Sequence, residues 1–110
     1  MAEIEWAAGL FDGEGSTSLS YIGHKYPQCR MQVGQAGVTI PEVLTRFQGA
    51  VCIGKIYGPS KAAKEGFWTW QIHRFEDIKF VFELLKPHLC TPKREQAEYC
   101  IYMYENERSL

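Results

Sequence analysis

A chain of 110 residues, 45% hydrophobic and 23% charged, has the make-up of one ordinary globular domain spanning 1–110. No apolar stretch approaches the roughly 20 residues of a membrane span and no secretory signal heads the sequence, so a soluble intracellular protein is expected, in cytoplasm, nucleus or organelle interior. Cys29, Cys52, Cys90 and Cys100 form no CxxC pair; small buried thiols are preferred over a disulfide scaffold, or over a zinc site of His88, Cys90 and His73.

The net charge of −1 hides a pattern. Residues 1–15 hold four acids and no base, residues 16–73 six bases against two acids, and residues 74–110 six bases against seven acids. If the middle segment forms one surface, that surface is basic, as nucleic-acid partners require. The alternative is chance clustering of surface charges.

In chain order, residues 3–13 suit a helix, with Trp6 and Leu10 one turn apart and Gly9 and Gly13 on the neighbouring stripe. From Ser16 the period changes to two, Leu19 and Tyr21 alternating with Ser16, Ser18 and Ser20. Residues 28–34 alternate again, Cys29, Met31 and Val33 against Gln28, Arg30 and Gln32, with GHKYP as the hairpin loop. Thr39-Ile-Pro-Glu42 reads as a capping box opening a helix with Ile40, Val43, Leu44 and Phe47 apolar, closed by Gly49. Residues 51–57 and 67–73 form a second strand pair around a Gly/Pro/Ser/Lys loop. Glu76 and Asp77 open a helix carrying Ile78, Val81, Phe82 and Leu85 that stops near Pro87. Thr91-Pro92 reads as an N-cap and first helical residue, followed by Ala97, Ile101 and Tyr104.

This order predicts an α+β fold with an antiparallel sheet and helices on one face. The other face would collect Ser16, Ser18, Ser20, Gln28, Arg30, Gln32, Lys55, Tyr57, Thr69, Gln71 and His73. Hydrogen-bonding side chains with almost no acids suit base edges and phosphates. A solvated sheet face is the plainer alternative.

The stretch WAAGLFDGEGS (residues 6–16) puts two glycines into a short helix at a cost of roughly 1 kcal/mol each. It is not a phosphate loop, because Gly13-Glu-Gly15 follows a helix and lacks the third glycine. It is not an EF-hand, because the position of the bidentate glutamate is Gly23. Glycines four apart instead let another helix approach closely, and the matching stripe would come from a second copy across a two-fold axis. Two Glu14 carboxylates would then meet beside the sheet and invite a divalent cation.

AAGLFDGEGS resembles the LAGLIDADG motif of homing endonucleases, with Gly9, Leu10, Asp12 and Gly15 matching and Glu14 at the final acidic position. The element order, the WTWQI strand and KPHLCTPKREQA (86–97) extend the resemblance over essentially the whole chain. It implies the αββαββα fold of a single-motif homodimer, with a four-stranded antiparallel DNA-binding sheet and Trp6, Gly9, Asp12 and Gly13 at the dimer interface. Asp12 is structural in that scheme; Glu14, with Gly13 beside it, is the Mg²⁺ site. Gln35 resembles the residue that orients attacking solvent, and Lys93 the base that supports the scissile phosphate. The implied activity is cleavage of both strands of a long pseudo-palindromic duplex. Lys25, Arg30, Lys55, Lys61 and Lys64 would supply affinity. No small-molecule substrate or membrane partner is implied. Ala36-Gly37-Val38 departs from the family, where a basic or polar residue is frequent, so a non-cleaving maturase or DNA-binding regulator of the same fold is the alternative.

Overall fold

The computed structural model describes residues 2–23, 25–61 and 64–108. Helix α1 (Ala2–Glu14) leads directly into strand β1 (Gly15–Ile22). Strand β2 (Tyr26–Ala36), helix α2 (Glu42–Val51), strands β3 (Lys55–Ser60) and β4 (Phe67–Ile72) and helix α3 (Phe75–Leu85) follow. A short 3₁₀ turn (Lys86–His88) then joins α3 to helix α4 (Thr91–Arg108). The sheet is antiparallel throughout, in the order β1-β2-β4-β3.

Period-two alternation sorts the strands into two faces. Thr17, Cys29, Met31, Val33, Trp70 and Ile72 are buried beneath the helices, with Ala7, Ala8 and Phe11 of α1, Leu44, Phe47 and Val51 of α2, and Ile78, Val81, Phe82 and Leu85 of α3. Phe47 is central: its ring meets Trp70 edge-on at 4.7 Å and stacks toward Phe11 at 6.5 Å. Each such ring buries more apolar surface than an aliphatic side chain and so contributes strongly to the core.

Several boundaries differ from the sequence expectation. Helix α1 continues through Glu14, which is its last residue, and β1 starts at Gly15. The first hairpin turn is shorter than GHKYP, because Tyr26 and Pro27 are already paired with Ile22 and Tyr21; His24 lies outside the described residues. The capping box does not form. Proline disfavours helical backbone in the residue before it, so the helix cannot enter at Ile40. Pro41 (φ −62°, ψ 135°) becomes the N-cap and makes no side-chain cap bond. Gly49 lies inside α2, which runs on to Val51. It ends where Cys52 turns left-handed (φ 64°) and donates its N–H to the Gln48 carbonyl at 2.8 Å. Residues 51–54 are therefore helix end and turn, and the third strand covers 55–60. Thr91 is the first residue of α4, whose opening bond runs from the Arg94 N–H to the Cys90 carbonyl at 3.1 Å.

Candidate active site and nucleic-acid interface

The α1–β1 junction is held from three sides by the start of α4. Both carboxylate oxygens of Asp12 accept from the Cys90 N–H at 3.1 Å. Lys93 Nζ donates to the Gly15 carbonyl, and the Thr17 N–H donates to Gln96 Oε1 at 2.9 Å. The acceptor and donor sites lie on residues 12, 15 and 17, so Glu14 sits inside a fixed bracket. Gly15 contributes by being small: a Cβ there would lie 2.3 Å from the Phe11 ring. The carboxylate of Asp12 also pushes the exposed Cys90 thiol above its usual range, first through the hydrogen bond and then through its charge.

Glu14 itself is exposed and lines a concavity of about 360 Å³ with Ser16, Gln32, Gly34, Gln35, Ala36, Phe67 and Thr69. Glu14 and Gln35 thus face one space, while Lys93 reaches that neighbourhood through the Gly15 carbonyl. Gly34 and Phe67 were absent from the expected site, and Ala36 entered it only as a departure from the family pattern. A Cβ on Gly34 would lie 2.5 Å from the Phe67 ring, so the ring forms the floor where a side chain would otherwise stand. The signal available was the odd parity of Phe67, an aromatic residue in phase with Thr69 and Gln71.

The polar face has the composition that the alternation implied, and the register arranges it in rows. Ser16, Gln32, Gln71 and Lys55 are mutual neighbours across all four strands. On one side lies Gly34–Thr69–Tyr57, and on the other Ser18–Arg30 and then Ser20–Gln28. His73 is exposed just beyond β4. Lys25 and Lys61 flank the two hairpin ends, and Lys64 follows in the β3–β4 turn. Among the described residues the ion pairs are Arg46–Glu3 (2.6 Å) and Lys79–Glu105 (3.5 Å), so neither takes up a base of this face. Arg46, counted in the basic middle segment, leaves the putting-together of that surface: it lies on α2, pairs with Glu3 and covers the Trp6 ring at 3.9 Å. Hydrogen bonding to Arg46 holds the Glu3 carboxyl below its usual range.

Gly9 and Gly13 are exposed, and a Cβ on either would meet nothing within 4 Å beyond the backbone of its own helix. Trp6 is half-buried, and the carboxylate of Asp12 turns inward to α4. No group of three His, Cys, Asp or Glu side chains able to hold a metal occurs among the described residues. No described helix is long and apolar enough to cross a membrane.

No family model matches the sequence, and no curated protein matches it. Solved structures do match the fold. The LAGLIDADG homing endonuclease I-GzeII in complex with its DNA target aligns with a TM-score of 0.78 at 22% identity, over 96% of this chain and 36% of that one. The homing endonuclease I-CvuI, in complex with the I-CreI target in the presence of Mg with the DNA not cleaved, aligns at 0.76 and 18%, over 97% and 68%. The homing endonuclease I-TnaI aligns at 0.71 and 18%, over 96% and 74%. The chain therefore spans about a third of one of these proteins and about two thirds to three quarters of the others. With its α1 motif ending in Glu14 and its β1-β2-β4-β3 sheet, the chain has the fold of the LAGLIDADG homing endonucleases.

Proposed function

We propose that this chain, spanning 1–110 as one domain, is a homodimeric site-specific DNA endonuclease that hydrolyses both strands of a long pseudo-palindromic duplex with the help of a divalent cation. The observation that carries this reading is the bracketed Glu14 at the rim of a polar concavity that opens on an acid-poor sheet face.

The donor set suits Mg²⁺. That ion takes one or two carboxylates and completes its shell with waters and substrate phosphates, so a lone exposed Glu14, with Gly13 beside it, is sufficient. When bound, such an ion lowers the pKa of an attacking water and offsets charge building on phosphorus. The chain's own residues do the rest. Gln35, facing the same space as Glu14, can orient the attacking water through its amide. Lys93 spends one N–H on the Gly15 carbonyl and keeps two for phosphate oxygens, where its charge stabilises the transition state. Lys25, Lys55, Lys61 and Lys64 supply phosphate contacts and, together with the charge of Arg30, a salt-dependent affinity.

Dimerisation rests on the open backbone of α1. With Gly9 and Gly13 exposed, a second α1 can approach closely across a two-fold axis, alongside Trp6 and Asp12. Two Glu14 carboxylates would then stand side by side, one for each strand. A non-cleaving DNA-binding protein or splicing maturase of the same fold is the second reading; in its favour, Ala36 lines the concavity where a polar or basic side chain would aid catalysis.

The test is incubation of the full chain with Mg²⁺ and a randomised duplex library, beside Glu14→Gln. Sequence-specific double-strand cuts lost in the variant support the enzyme, and binding without cuts by either protein supports the second reading. Absence of salt-dependent binding overturns both. Light scattering should give a dimer that Gly9→Leu converts to monomer; a wild-type monomer contradicts the two-fold arrangement.

A further inference from the structure

The polar face is chemically sorted by strand position. The edge strand β1 carries Ser16, Ser18 and Ser20, and the edge strand β3 carries Lys55 and Tyr57. The two central strands carry the amides and the guanidinium, Gln28, Arg30 and Gln32 on β2 and Gln71 on β4, where Thr69 adds a hydroxyl beside them. Gln32 and Gln71 are direct register partners, and Gln32 also lines the concavity that holds Glu14. The major groove is about 12 Å wide and admits a two-stranded ribbon, so a four-stranded sheet laid along it turns its two central strands to the base edges and its edge strands to the phosphate walls. Glutamine is the side chain whose amide matches adenine N6 and N7, arginine matches guanine O6 and N7, and hydroxyls and ammonium groups serve phosphates.

The spacing adds a scale. An antiparallel strand rises about 3.4 Å per residue, close to the 3.4 Å rise of a base pair, so successive residues on one face step about two base pairs along the groove. Glu14 stands immediately before β1, level with the Gly34–Thr69–Tyr57 row; the Ser16–Gln32–Gln71–Lys55 row is the next one along the sheet and Ser18–Arg30 the one after it.

Resting on the DNA-binding reading above, we infer that the Gln32–Gln71 pair is a specificity determinant reading adenine near the centre of the target. Arg30 reads guanine about two base pairs further out, and Lys55 grips backbone without reading sequence.

Binding selection from a randomised duplex library, followed by sequencing, tests this with the full chain, without cleavage being needed. The wild type should enrich adenine on the centre-proximal side and guanine about two base pairs outward. Gln32→Ala with Gln71→Ala should lose the adenine preference by roughly 5- to 100-fold and keep the guanine. Gln71→Glu should shift the same position toward cytosine, whose N4 donates to a carboxylate. Arg30→Ala should erase only the guanine, and Lys55→Ala should weaken binding evenly while reducing the salt slope by about one. Thermal melting of each variant establishes that it is folded. Adenine preference retained in the folded double variant, or lost at a position outside the Arg30 one, overturns the assignment. A wild type that retains no DNA overturns the binding reading itself, a different result from DNA retained with unchanged preferences.

Discussion

The two ends of β1 are built differently. At its start, Gly15 and Thr17 are buried, and backbone or side-chain bonds from Cys90, Lys93 and Gln96 hold residues 12, 15 and 17. Cys100 adds to this end, its buried thiol donating to the Thr17 carbonyl at 3.5 Å. At its far end, Ser20, Tyr21, Ile22 and Gly23 are exposed, as are Lys25 and Tyr26 across the turn. The tie to α4 there is the Tyr21 hydroxyl donating to Glu107 at 2.6 Å, a bond that pushes the phenol up to about 12. A carboxylate that must meet one phosphorus needs fixed geometry, whereas hydroxyls that follow a phosphate backbone tolerate adjustment. The strand thus runs from a fixed end beside the proposed catalytic Glu14 to an exposed, adaptable end at the first hairpin.

Substitution breaks this contrast most strongly at Gly15. Gly15→Ala forces a Cβ into the Phe11 ring and should destabilise by about 1–3 kcal/mol. The same change at Gly49, an exposed helical glycine with nothing within 4 Å of its Cβ site, should stabilise by roughly 0.5–1 kcal/mol. Urea denaturation of the two variants reads both signs. Next, Asp12→Ala leaves the Cys90 N–H at the head of α4 without its acceptor; a loss of about 1 kcal/mol is expected, as for a removed helix cap.

A gentler probe is Asp12→Asn. Asp12 raises the Cys90 thiol, so little thiolate exists near neutral pH; removing the charge should lower the thiol toward its usual range. Alkylation of Cys90 at pH 7.5, followed by peptide mass spectrometry, should then speed up roughly two- to five-fold, with the rate at the exposed Cys52 unchanged. Smallest of all is Tyr26→Ser at the hairpin end, where 68% of the residue is exposed. Its stability should stay within about 0.5 kcal/mol of wild type in the same denaturation experiment.

Local patterns were legible where one periodicity decided the outcome. Ile78, Val81, Phe82 and Leu85, picked out by helical spacing, are the buried residues of α3. The polar sheet face followed from alternation because the register keeps β1, β2 and β4 in phase, and β3 from Lys55 to Tyr57, before it shifts between Tyr57 and Ser60. The misread capping box shows the limit: Thr39 and Glu42 satisfy the pattern, but Pro41 forbids the backbone path between them. The site was legible as residue types and not as a mechanism of support. Asp12 reaches Cys90 over 78 residues and Thr17 reaches Gln96 over 79, distances across which periodicity carries no information. Gly15 and Gly34 stood in the sequence as a motif glycine and a strand residue; their physical reason, the rings of Phe11 and Phe67, exists only once the sheet and helix are packed.

The central claim is that the bracketed end of β1 performs chemistry with Glu14, while the sheet supplies binding. Single-turnover cleavage of a selected duplex in Mg²⁺, with affinity measured in parallel by fluorescence anisotropy, tests it most directly for wild type and Glu14→Gln. The account predicts affinities within about three-fold of each other and cleavage slowed at least roughly 100-fold in the variant. Equal cleavage rates for the two proteins, or cleavage lost only in step with binding, would contradict it.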